Sequence, residues 1–153
     1  SIRFFSSTPA AAPGLKVALE RVQAVAQSAA GDDRDHRRRR AEAEIAVQAI
    51  DMSERRVLSA LASGNPPGPA SSMLKINGTE AMQRLDEISI DALGPYAHVE
   101  QMEAREPGSN VDPVGPEIGL TAMPRYLNNR AASIYGGSNE IQRDIIARLV
   151  LGL

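Results

Sequence analysis

The pair Gly136-Gly137, followed by Ser138, Asn139 and Glu140, is the stretch of this 153-residue chain best equipped to hold a ligand. Glycines let the backbone approach a bound group closely and adopt dihedrals that other residues avoid. A glycine pair opening a helix aims several N–H groups at one point, which is how proteins hold phosphates. Ser138 or Asn139 is suited to cap the helix, because a short side-chain oxygen accepts from the free amides of the first turn. Glu140 adds negative charge near the positive end of the helix dipole. Ile141, Ile145, Leu149 and Leu153 then recur every fourth residue, with Ile146 and Val150 beside them. That spacing predicts a helix with a core-facing apolar face. The residues alone leave two readings open: an anion cradle, or an ordinary glycine turn ahead of an amphipathic helix.

Other reactive side chains form no constellation. His36 and His98 lie far apart with no cysteine anywhere in the chain, so disulfides and thiolate metal sites are excluded and no metal site is expected. Glu100, Glu103, Glu106, Asp112 and Glu117 have no base or metal ligand paired with them and read as solvated. The run Arg37 to Arg40 suggests a phosphate or nucleic-acid patch. Asp32, Asp33 and Asp35 directly before it, and a net charge of −2, favour a solvated first turn of a helix instead. Arg125 and Arg130 could meet phosphate or an acidic partner, although surface ion pairs are the commoner use of such residues.

Composition narrows the class. An apolar fraction of 42% and a charged fraction of 24% are those of a soluble globular domain. Aromatics make up only 3%, so the core must be aliphatic and Ala-rich, which favours packed helices. The charge balance gives no case for nucleic acid, and no apolar run reaches the roughly 18 residues of a membrane span. A cytoplasmic protein is expected. Residues 1–13 carry Arg and Ser without acids, faintly like a transit peptide but without a secretory apolar core. They are read as a frayed edge of a cut or processed chain, with one helical domain over 14–153.

The elements that must position the glycine pair follow from periodicity and breaks. Pro13-Gly14 opens a first helix carrying Leu15, Leu19, Val22, Val25 and Ala26, closed by Gly31. A long helix from about Arg37 to Ala62 buries Val47, Ile50, Val57 and Leu61, with Ala41, Ala46 and Ala49 allowing close approach. Glu54, Arg55 and Arg56 are expected to be exposed. The run from Gly64 to Pro69 is a stiff break, which points to an antiparallel neighbour. Ser71 or Ser72 can cap a third helix burying Leu74, Ala81, Leu85, Ile88 and Ala92. Gly78 within it costs about 1 kcal/mol against Ala, so it marks a tight crossing or a local opening. Leu93-Gly94-Pro95 ends that helix. From Tyr96 to about Pro124 the chain reads as irregular, and an irregular approach continues to the glycine pair. The fold expected is an all-α, up-and-down helical bundle.

The string IYGGSNEIQRDIIAR closely resembles the terminal signature of the acyl-CoA dehydrogenase family. RYLNNRAASIYGGSNEIQ and GPASSMLKINGTEAMQRL resemble a bacterial branch acting on bulky or unusual acyl groups. The resemblance covers nearly all of this chain but only the last portion of a full enzyme. It implies the C-terminal helical domain of a flavoenzyme that oxidises acyl-CoA thioesters to the 2,3-enoyl form, packed into homo-dimers or tetramers. It implies FAD as cofactor, an acyl-CoA substrate and electron-transfer flavoprotein as acceptor, with an acyl-CoA oxidase as a near neighbour. Tyr135, Gly136, Gly137, Ser138 and Glu140 would lie along FAD, near its pyrophosphate and ribose. Gly94 stands where the family has a Gly-Gly turn touching the FAD of a neighbouring subunit, here followed by Pro95.

In many members a Glu directly after the Ile-Tyr of the signature abstracts the α-proton of the thioester while the β-hydride passes to FAD. Gly136 holds that position here and has no side chain to serve. The resemblance is then to the subset whose base comes from the first helix of this domain. The matching region, Phe4 to Ser7, offers no acid, and none occurs before Glu20. No catalytic residue is assigned, and the isolated chain is expected to be inactive. The alternative is a non-catalytic helical subunit that pairs with an active dehydrogenase.

Overall fold

The computed structural model describes residues 10–28 and 33–153 of the chain. Three long helices, α1 (Ala12–Ser28), α2 (Arg34–Ala62) and α3 (Ala70–Leu93), pack pairwise against one another. Two shorter ones, α4 (Ala122–Asn129) and α5 (Asn139–Ile146), lie against α3. No strand occurs among the described residues, so the all-α bundle is the fold observed.

The aliphatic stripes meet as expected. Leu15, Val22, Val47, Ile50, Val57, Leu74, Leu85 and Ile88 form one core, with Leu19, Leu61 and Ala81 packed at its edge. Val25, Ala92 and Leu93 join Ala97 and Ala122 in a second cluster at the far end of α3. Close approach of α2 runs through Ala43, which is buried, rather than through Ala41 and Ala49, which are exposed, or Ala46, which is half-buried. A period-four row is ambiguous between neighbouring rows, and here the row Ala43–Val47–Ile50 faces inward.

Polar details depart further from expectation. Glu54 is buried, and its Oε2 accepts from the backbone N–H of Ala12 at 2.8 Å. The free amide at the start of α1 needs an acceptor once it is covered, and a carboxylate on the adjoining helix supplies one. At α2, Asp33 is the N-cap and accepts from the His36 N–H at 2.8 Å. Arg38 pairs with Asp35 and Glu42, and Arg39 with Asp91, so the arginine run is tied into ion pairs of this chain. Gly31 and Asp32 lie outside the described residues. Neither Ser71 nor Ser72 caps α3, because the helix already starts at Ala70 after Pro69. The Ser71 hydroxyl instead donates back to Gly68 O at 3.1 Å, and Ser72 is buried within the first turn. Gly78 is buried in an unbroken α3, so no local opening occurs there.

The segment read as irregular is organised. Single 3-10 turns cover Gly94–His98, Glu103–Arg105 and Glu117–Thr121. The Gln101 amide clamps Val114 in both directions, donating to its carbonyl at 3.2 Å and accepting from its N–H at 2.7 Å. Gly115, at φ +82°, lies so close to Tyr96 that a Cβ would fall 2.6 Å from the ring. The approach to the glycine pair is α4 followed by a 3-10 turn at Arg130–Ser133. Pro124 does not prevent α4, since it occupies the first turn, where its missing N–H has no intrahelical acceptor to lose.

The terminal stripe is not core-facing within this chain. Ile141, Leu149, Val150 and Leu153 are exposed, and Ile145 and Ile146 are half-buried. The one fully buried residue of α5 is the polar Asn139. Beyond Ile146 the backbone widens into a π turn, Ala147–Leu151. Apolar periodicity reports that a face avoids water, not that the same chain covers it.

Candidate functional site

The glycine turn is held by a polar row on α3. Lys75, Thr79, Gln83 and Glu87 recur every fourth residue, so they share one face of the helix. That face receives the returning chain. Gln83 Nε2 donates to the carbonyl of Asn129 at 3.0 Å. Glu87 pairs with Arg130 at 2.9 Å, and the Arg130 guanidinium also sits 4.5 Å over the Tyr126 ring. Beside the row, the buried carboxylate of Asp86 accepts from Arg125 Nε at 3.1 Å and Asn129 Nδ2 at 2.7 Å. Arg125 and Arg130, considered above for phosphate, are therefore committed to carboxylates of α3.

At the start of α5, Lys75 Nζ donates to Asn139 Oδ1 at 2.7 Å and to the Ala132 carbonyl at 3.2 Å. Asn139 Nδ2 and Thr79 Oγ1 are 3.3 Å apart, both residues being buried. Sequence reasoning singled out neither Lys75 nor Thr79. The period-four polar row was the signal that could have found them.

Between these anchors the turn bulges into solvent. Gly136 has φ +68°, and nothing lies within 4 Å of where its Cβ would be. Gly137 has φ +89°, with Gln142 Nε2 2.8 Å from its would-be Cβ. Among the described residues no hydrogen bond from the Gly136 N–H to a backbone carbonyl occurs, while Gly137 closes the turn over residues 134–136. Tyr135 stands exposed beside them. Of the two candidate caps, Ser138 is the N-cap, its Oγ accepting from the Ile141 N–H at 3.4 Å, while Asn139 is the first helical residue.

Glu140 folds back over the helix end. A hydrogen bond from its own backbone N–H, and then one from the Ser138 hydroxyl, hold its carboxyl below the ordinary range. One first-turn amide is thus matched by the chain's own anion, and the open donor of the turn is that of Gly136. Desolvation pushes the Lys75 ammonium below its ordinary value, with the charge of Glu140 opposing the shift. Gly94, with φ +54°, caps the opposite end of α3. It lies 15 residues beyond Thr79, roughly 22 Å along the helix, so one chain does not bring it together with the turn. No helix among the described residues is long and apolar enough to cross a membrane, and no group of three His, Cys, Asp or Glu side chains there could hold a metal.

This architecture has known counterparts. The chain overlays a solved structure described as the FAD complex of PigA with a TM-score of 0.70, at 22% identity over 93% of this chain and 34% of that one. It overlays the ChsE4–ChsE5 complex from Mycobacterium tuberculosis with a TM-score of 0.67, at 23% identity over 92% of this chain and 36% of that one. It thus spans about a third of the length of those chains. A 28-residue stretch is 75% identical to acyl-CoA dehydrogenase IpdE1 of Mycolicibacterium smegmatis and of Mycobacterium tuberculosis, covering 18% of this chain and 7% of each relative. Residues 6–151 match the family model for the acyl-CoA dehydrogenase C-terminal domain, and the chain belongs to that family.

Proposed function

We propose that residues 14–153 are the C-terminal helical portion of a larger FAD-dependent acyl-CoA dehydrogenase, supplying one wall of the flavin site and contacts between subunits. The observation that carries this reading is the glycine turn, which presents the backbone of Gly136 and Gly137 at the surface of a domain of this family. Amides in such a turn suit a pyrophosphate oxygen. The Glu140 carboxylate suits a hydroxyl donor such as ribose, since a second anion placed against it would be repelled. Ser138 orients Glu140, Tyr135 offers an exposed ring edge to the cofactor, and Gly94 serves the site of a neighbouring subunit.

FAD held at this turn would supply the hydride acceptor for oxidation of an acyl-CoA substrate. The chain supplies no base at Gly136, so α-proton removal falls to residues outside the described ones, and the isolated chain is silent. The exposed row Ile141, Leu149, Val150 and Leu153 is the contact surface toward a second subunit, a like copy or a paired dehydrogenase. Electron-transfer flavoprotein is the proposed acceptor for the full enzyme. That same row also supports the second reading, a non-catalytic subunit retained for assembly.

Flavin retention tests the proposal. The full-length protein carrying this chain should purify with flavin absorbance. Gly136→Ala has room for its methyl but forces a left-handed backbone on alanine, at a cost of about 1 kcal/mol. It should lower flavin content while leaving the bundle folded. A colourless full-length protein that still assembles with a dehydrogenase would favour the second reading. Flavin content unchanged by both Gly136→Ala and Gly137→Val would remove the turn from the site.

A further inference from the structure

We infer that Lys75 is the positioning residue of the glycine turn: its ammonium bridges the Ala132 carbonyl and Asn139 Oδ1, closing the loop that contains Gly136 and Gly137 from beneath. The functional meaning of this staple rests on the cofactor reading above, but its geometry does not. Six residues, 133–138, separate the two anchored positions, and two of them are glycines at positive φ. Such a loop has many conformations open to it, and holding one requires its ends to be fixed.

The surrounding chemistry makes the ammonium the fixing element. Asn139 and Thr79 are buried, so water does not replace a lost bond there cheaply. Lys75 has no ion pair within 4 Å among the described residues, unlike the arginines of the returning chain, which all have carboxylate partners. A cation left to neutral acceptors makes charge-assisted bonds to both of them. Thr79, one turn along the helix, braces the same amide, with hydroxyl and Asn139 Oδ1 3.3 Å apart. No other side chain among the described residues is seen to hydrogen-bond both before and after the glycines.

The absence of cysteine from the sequence allows a direct test. In Lys75→Cys the new thiol is the only one in this chain, and aminoethylation restores an ammonium at nearly the original reach. Amide hydrogen exchange is read over residues 133–139 in the wild type, in Lys75→Cys, and in the aminoethylated variant confirmed by mass. Arg84→Met, on the same helix as Lys75, removes an exposed pair with Glu42 of α2 and serves as control.

Lys75→Cys should exchange about tenfold faster over 133–139, with α1 and α2 unchanged, and aminoethylation should restore protection. Unchanged exchange in Lys75→Cys, equal loosening throughout the bundle, or no recovery on aminoethylation would each overturn the staple. Added FAD separates this inference from the one it rests on. If flavin leaves exchange at 136–139 unchanged in the full-length wild type while the staple pattern is present, the cofactor reading fails and the staple stands.

Discussion

Removing the Asp86 carboxylate should be among the most damaging single changes outside the aliphatic core. Asp86 is buried, and two donors from the returning chain, Arg125 Nε and Asn129 Nδ2, converge on it. In Asp86→Ala both lose their acceptor. Breaking one partner of a buried pair costs about 3–5 kcal/mol. The Arg125 side chain keeps 23% of its exposure and can turn toward water, whereas Asn129, at 8%, cannot. Discounting for the arginine leaves about 2–3 kcal/mol, mostly the stranded amide and the lost charge-assisted bond. For a domain of this length that is a fall in Tm of roughly 5–10 °C. Urea unfolding followed by far-UV circular dichroism gives the free energy, provided the m-value stays constant. The double variant Asp86→Ala/Arg125→Met should be less destabilised than the sum of its parts, by about 1 kcal/mol or more. An Asp86→Ala loss within about 0.5 kcal/mol, or strict additivity in the double variant, would refute the claim that this carboxylate pins α4 to α3.

Three further outcomes follow from other sites. Glu54→Ala strips the acceptor from the buried Ala12 amide and should cost about 1–2 kcal/mol in urea unfolding, with Glu54→Gln losing less because its amide oxygen still accepts. Gly115→Ala drives a methyl into the Tyr96 ring at positive φ and should cost about 2 kcal/mol; the loss should shrink in a Tyr96→Ala background, as thermal melts would show. Lys16 foremost, then Arg55, holds the Asp51 carboxyl below its ordinary value. A depressed acid stabilises fully above its unfolded value and loses that contribution as pH falls through the folded one, so the effect lies below about pH 4. Urea midpoints between pH 7 and pH 2 should therefore show a shallower acid limb in Asp51→Asn, and in wild type at high salt.

The long helices were legible because aliphatic rows and Pro/Gly breaks report burial and chain reversal directly. Leu15 to Ala26, Val47 to Leu61 and Leu74 to Ala92 all took the faces their spacing dictated. Three things were hidden. α4 escaped because its buried residues are Ala122 and Asn129, with hardly an apolar period between them, and because Pro124 reads as a breaker unless the helix start is already known. Glu54 escaped because charge predicts exposure only where no unpaired amide waits nearby. The outward face of α5 escaped because Ile141 and Leu149 would look the same in a sequence whether this chain or another one covers them. At the turn, the sequence named the residues that could meet a ligand and missed Lys75, whose partners lie 57 and 64 positions away.

The polar row of α3 also governs where this protein can change length. Positions 75 and 79 meet Asn139, and positions 83 and 87 meet Asn129 and Arg130, so their angular alignment is a shared frame. One residue inserted after Gln83 would rotate everything beyond it by about 100°. Glu87 and Asp86 would then swing off Arg130, Arg125 and Asn129, and every anchor on one side of the insertion would be out of phase with the other. Between Pro107 and Asp112, by contrast, an added residue would only lengthen the arc that Gln101 closes on Val114. Evolutionary indels in this domain should therefore accumulate in that arc and stay out of the helix.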